Sequence, residues 1–165
     1  MSNLSFIKRI DDLGRIVIPK EIRRKLKIES NENMEISINN DEIIIKKHSL
    51  LVDKNKNISF IGNLLSKMSN KEIIITNRDK ILFSSNNELL NKEITNELRE
   101  YIINRCEIVN KNIEIIDNIQ ISKFISKNII LDSDASGIIL MIGDNIEEKD
   151  KLLLDVVVEL FNEDL

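Results

Sequence analysis

Hydrophobic and polar positions recur with two different periods along this chain, and the switches between them outline its elements. Over residues 4–10 apolar and charged side chains mix at strand spacing, and Asp11-Asp12-Leu13-Gly14 supplies turn chemistry. Residues 15–18 (RIVI) are β-branched and read as a second strand. Pro19, the only proline, stands where a strand ends and a helix can begin, because its fixed φ suits the first helical position and its missing N–H costs nothing there. Residues 20–26 then predict about two helical turns, with Ile22 and Leu26 on one face and Arg23 and Arg24 on the other. Met34, Ile36 and Ile38 alternate with Glu35 and Ser37 as a third strand; Asn39-Asn40-Asp41 is a turn, and residues 42–47 (EIIIKK) form a fourth strand.

Beyond residue 57 the periods lengthen. Ile61, Leu64, Leu65 and Met68 fall at i, i+3, i+4 and i+7, predicting an amphipathic helix over residues 58–68 that can start as early as Leu50. Residues 71–76 and 80–84 flank the polar turn Asn77-Arg78-Asp79 as a hairpin. A second long helix is expected over residues 92–109, with Ile94, Leu98, Tyr101, Ile102 and Ile108 on one face. Strands are expected at 113–116, 119–130 and 136–142, with a turn over 132–137. The chain closes with a helix over 147–161, apolar nearly all round, which predicts burial on several sides in an inter-subunit bundle. Helix–β–β–helix–β–β–β–helix is the order of an α+β domain, an antiparallel sheet with helices packed on it.

Composition adds a boundary. Hydrophobic residues make up 42% and charged residues 32%, as in globular proteins. Net charge is −4, yet residues 7–28 carry eight basic side chains against Asp11, Asp12 and Glu21. A cationic surface on an acidic chain marks a polyanion-binding module joined to a non-binding domain. The polar DKNKN run places the boundary near residues 48–57. The domains are therefore 1–49, a hinge or start of a linker helix at 50–57, and 58–165. Two hairpins and a short helix within residues 1–47 make a poor free-standing core, and no disulfide or metal is at hand, so a homodimer is expected.

The composition also argues against several chemistries. One histidine (His48) and one cysteine (Cys106) build no His/Cys metal cluster, and the four scattered glycines form no phosphate loop, so no cofactor, metal or catalytic site is expected. The chain is read as not an enzyme. Without a membrane-length apolar run or a signal-peptide core, a cytoplasmic, nucleoid-associated location is expected, with no membrane partner. Asp11 and Asp12 read as turn formers, Cys106 as a packed thiol, His48 as a solvated hinge residue, and Glu93, Glu97 and Glu100 as a polar helix face.

The stretch RIDDLGRIVIPKEIRRKLKI, followed by EIIIKK, resembles the DNA-binding domain of the AbrB family of bacterial transition-state regulators. That resemblance implies a swapped-hairpin β-barrel homodimer, mainly β with one short helix. It also implies that Lys8, Arg9, Arg15, Arg23 and Arg24 bind double-stranded DNA. Few aromatic residues lie nearby, so duplex is favoured over single strands. One departure is Glu29-Ser30-Asn31-Glu32, where the family often has a Gly-Asp turn; Asn31 tolerates left-handed geometry, so the turn is expected to survive with less stability. The second domain is similar to small GAF-like sensory domains. An AbrB-like start joined to a GAF-like end resembles regulators of forespore genes, which implies sporulation control, a homotetramer through the C-terminal domain and an unknown small-molecule ligand. The rival resemblance is to MazE-like antitoxins, which share the swapped hairpin and wrap a toxin with a short C-terminal tail. The clear periodicity of residues 58–165 favours a folded domain over such a tail.

Overall fold

A computed structural model describes residues 4–30, 32–54, 57–106, 108 and 111–162. The chain divides into two compact units, Met1–His48 and Ser49–Leu165.

In the first unit, helix α1 (Lys20–Lys25) starts directly after Pro19, whose carbonyl accepts from the Arg23 N–H at 3.0 Å. It ends in a Schellman arrangement: Lys27 N–H donates to Arg24 O at 3.2 Å and Ile28 N–H to Arg23 O at 2.8 Å. Lys27 takes the left-handed conformation (φ 51°) that such an ending needs. The Asn31 expectation lies outside the described residues. Strands β1 (Met34–Asn39) and β2 (Glu42–Lys47) pair antiparallel across the tight turn at Asn40 (φ 52°) and Asp41. Register sets Ile36 opposite Ile45 and Ile38 opposite Ile43, so period-2 alternation gathers the four isoleucines on one face.

That face is uncovered. Ile36, Ile38 and Ile43 are 68%, 81% and 65% exposed, and no described residue of this unit is buried. The strands expected at 4–10 and 15–18 do not form within the protomer. Asp11 N–H to Arg15 O (3.1 Å) and Gly14 N–H to Asp11 O (2.9 Å) close the turn between them, but neither flank gains a ladder partner. A strand exists only where its backbone groups are paired, so alternation alone leaves these segments extended.

The second unit is built on a four-stranded antiparallel sheet ordered β4-β3-β8-β7, from β3 (Glu72–Asn77), β4 (Ile81–Ser84), β7 (Phe124–Leu131) and β8 (Asp134–Ile142). A separate ribbon joins β5 (Ile113–Ile116) to β6 (Ile119–Ile121). Helices α2 (Leu50–Lys54), α3 (Ile58–Ser69) and α5 (Glu148–Asn162) belong to one sheet face. There Leu51, Leu65, Leu154 and Phe161 cluster with Ile73, Ile75, Ile139 and Met141. Helix α4 (Asn96–Ile103) and the β5–β6 ribbon belong to the other face, where Leu98, Ile102, Ile113 and Ile115 meet Ile74, Ile138 and Leu140. Burial on both faces explains why β3 and β8 read as continuous apolar runs. Asp150, fully buried in the first turn of α5, accepts from Glu147 N–H at 2.8 Å and pairs with Lys71 at 3.1 Å. Burial opposes its charge, but these two donors together hold the carboxyl below its usual range.

Several expectations shift. The helix read over 92–109 spans only Asn96–Ile103: Thr95 caps it by accepting from Leu98 N–H at 3.2 Å, and Arg105 (φ 53°) follows its end. Ile94 and Ile108 are buried from outside the helix, and Val109 lies outside the described residues. The strand read over 119–130 breaks at Ser122-Lys123, where Lys123 has φ 53°. The turn read over 132–137 contracts to Asp132 and Ser133, with φ 49° and 64°, the left-handed pair of a two-residue hairpin. Gly137 therefore lies inside β8, and α5 buries Leu154, Val157, Val158 and Phe161 while leaving Leu152 and Val156 exposed.

Gly137 is held there by contact. A Cβ at this position would lie 2.0 Å from Thr76 O and 2.9 Å from Leu51 Cδ2. Gly137→Ala is expected to destabilise the second unit by about 1–3 kcal/mol, since a ladder carbonyl cannot yield as a flexible side chain can. Thermal unfolding followed by circular dichroism measures this; an unchanged midpoint would show that the sheet absorbs the methyl group.

Candidate nucleic-acid interface

The five residues expected to bind DNA all reach the surface of the first unit. Lys8 and Arg9 lie in the extended segment before the turn, Arg15 immediately follows it, and Arg23 and Arg24 occupy the last turn of α1. Among the described residues, Lys8, Arg9, Arg23 and Arg24 make no side-chain hydrogen bond or ion pair. No such bond joins them to Arg15 within the protomer. Cations without carboxylate partners keep their full field for an outside polyanion. Lys20, at the first position of α1, is likewise exposed and unpaired among the described residues. It is one of the eight basic side chains of residues 7–28.

Arg15 differs. Its Nε donates to Asp11 Oδ2 at 2.7 Å, while Asp11 Oδ1 accepts from Leu13 N–H at 3.0 Å and Arg15 N–H at 2.8 Å. Gly14 provides the positive φ (75°) that lets the turn close. The Arg15 N–H, the Arg15 guanidinium and the Leu13 N–H lower the Asp11 pKa below the usual carboxylate value. Asp11 is thus both the turn former the sequence suggests and the holder of one site arginine, a role its sequence position did not reveal.

The second unit offers less. A depression beside the start of α5 includes Lys71, Lys123 and Lys149, but these pair with Asp150, Asp144 and Glu147 at 3.1, 2.7 and 2.8 Å. Lys123 is raised and Asp144 lowered by their mutual hydrogen bond. Cys106 is exposed beyond the end of α4, correcting its expected place in the core. The helix ends earlier than the apolar period suggested, which carries Cys106 off its packed face. Among the described residues no cluster of three or more His, Cys, Asp or Glu side chains could hold a metal ion, and no helix is long and apolar enough to cross a membrane.

An arginine-bearing turn and short helix accompany an uncovered two-stranded β-hairpin in the first unit, and comparison with known proteins gives the family. The chain belongs to the AbrB family of transition-state regulators. It is 32% identical over 126 residues to "Stage V sporulation protein T" of Bacillus subtilis (strain 168), covering 72% of this chain and 71% of that protein. That match is longer than the first unit and so reaches into the second. Over 48 residues the chain is 40% identical to "Transition state regulatory protein AbrB" and to "Putative transition state regulator Abh" of the same organism. Those matches cover 29% of this chain and about half of each relative (50% and 52%). The family profile described as "Antidote-toxin recognition MazE, bacterial antitoxin" matches residues 7–51. The latter two relatives are regulators by name.

Proposed function

We propose that the protein is a sequence-specific, duplex-DNA-binding transcription regulator that controls sporulation genes. Lys8, Arg9, Arg15, Arg23 and Arg24 face the DNA in this reading. One observation carries it: among the described residues, four of these cations make no side-chain hydrogen bond or ion pair, and no described residue of their unit is buried. The exposed isoleucine face of β1–β2 and the unpaired segments 4–10 and 15–18 are what a second copy supplies in a swapped-hairpin barrel, so the unit is read as a homodimer. Two copies about a two-fold axis double the basic surface to match the symmetry of a duplex.

The second unit, residues 58–165 with the 50–57 linker, is read as a GAF-like regulatory domain that joins dimers into tetramers. Phe60, Leu64 and Met68, at i, i+4 and i+8 on α3, and Leu152 and Val156 on α5 remain exposed and support helix-mediated assembly. A small-molecule ligand of this domain belongs to the same proposal. The similarity to "Stage V sporulation protein T" supports the sporulation role.

The antitoxin profile favours a second reading, in which residues beyond the hairpin wrap a toxin. The two apolar clusters on either side of the sheet favour a folded domain instead. Titrating the intact protein with duplex DNA at rising salt tests the main reading. If a dimer contacts about 6–10 phosphates, affinity falls ~10³–10⁵-fold between 50 and 200 mM salt. Weak binding with a flat salt dependence would remove DNA as the partner.

A further inference from the structure

Of the five residues expected to bind DNA, Arg15 is the one whose backbone and side chain are both tied to one neighbour among the described residues. Asp11 donates its N–H to Arg15 O and accepts from Arg15 N–H and from Arg15 Nε. The Leu13 N–H and the Gly14 turn lock the carboxylate in turn. A guanidinium held through Nε leaves the outward N–H bonds of its two Nη groups free. Those groups form the end-on fork that matches paired acceptors such as O6 and N7 of guanine. The ion pair restricts this long, exposed side chain before any ligand arrives, which favours geometric readout over loose charge attraction. Lys8, Arg9, Arg23 and Arg24, with no such anchor, suit phosphates, which need charge more than direction.

We propose that Asp11 is a positioning residue that fixes Arg15 for end-on, bidentate contact with a guanine edge, so that the Asp11–Arg15 pair sets sequence preference while the unanchored cations supply affinity. This rests on the duplex-DNA reading above and adds a sign to it. A carboxylate near a polyanion costs affinity by charge alone, so removing it should tighten binding to every duplex. Positioning gives the opposite result at a preferred site.

The test uses the full chain and two probes: a duplex enriched from a randomised pool by the intact protein, and a scrambled duplex of equal composition. Asp11→Asn keeps an oxygen to accept from the Leu13 and Arg15 N–H groups, so the turn persists, while the ion pair is lost. Thermal unfolding checks that the fold is retained. Affinity of Asp11→Asn for the enriched duplex is expected to fall about tenfold or more, the scale of one lost bidentate base contact. Affinity for the scrambled duplex holds or rises. In an Arg15→Ala background the same substitution is expected to have no further effect on the preference ratio.

Equal tightening on both probes overturns the proposal, leaving Asp11 as a plain negative charge. A loss that persists without Arg15 also overturns it, because the role would then lie in the turn. If the intact protein enriches no duplex, the DNA-binding reading itself fails and takes the proposal with it.

Discussion

Replacing Arg15, Arg23 and Arg24 together by alanine is expected to weaken duplex binding by about 10³-fold at low salt and to flatten its salt dependence. Each lost phosphate contact lowers the slope of log K against log salt by about 1, so a dimer lacking Arg23 and Arg24 in both protomers loses up to about 4, and the loss of Arg15 adds to the drop in affinity through its base contact. The fold should survive. All three side chains are exposed, and the turn ending α1 uses the carbonyls of Arg23 and Arg24, which alanine retains. Basic residues in the last helical turn favour the helix by about 0.3–1 kcal/mol, so some fraying is the expected structural cost. Fluorescence anisotropy with a labelled duplex across a salt series, beside circular dichroism, separates the two effects. Equal affinity and slope for variant and intact protein would reassign this surface to a protein partner.

What the sequence disclosed depended on where each residue finds its partners. The β2 strand was legible because its pairing is local, two residues away across a turn. The apolar runs of β3 and β8 stood out because both faces are covered. Pro19 marked the start of α1 through backbone geometry alone. Segments 4–10 and 15–18 carry a strand pattern whose partners are not supplied by the same protomer, and no period along one chain can report that. The overlong second helix failed for a different reason: Ile94 and Ile108 keep the apolar period while lying outside the helix, and Thr95 and Arg105 set the ends through capping and positive φ. Lys123 and the Asp132-Ser133 pair broke or shortened elements in the same way, with left-handed geometry at residues that carry no glycine signal.

The candidate site divides similarly. Its charge was legible because eight cations within residues 7–28 oppose an acidic background. The partnering of Asp11 with Arg15 was not, because an aspartate before Gly14 has the same signature whether it shapes a turn or also grips an arginine.

Ile36→Asn with Ile38→Asn is expected to abolish the ordered first unit, although both side chains are exposed in the single protomer. For a protomer acting alone, these changes are close to neutral, since exposed substitutions stay within about 0.5 kcal/mol. For a face covered by a second copy, each isoleucine contributes about 1.5–3 kcal/mol of burial, twice over by symmetry, and losing it raises the dimer dissociation constant at least ~10³-fold. Amide hydrogen exchange over residues 34–47 distinguishes the cases in the intact chain. Protection in β1 and β2 should collapse by a similar factor, while the second unit, with its own two apolar clusters, keeps its protection. Undiminished protection would mean that the hairpin is stable without a partner. Duplex affinity should fall in the same variant with every arginine intact, because the paired basic surface exists only when the two copies meet. That loss, set beside the arginine triple variant that still dimerises, separates the scaffold of the interface from its contacts.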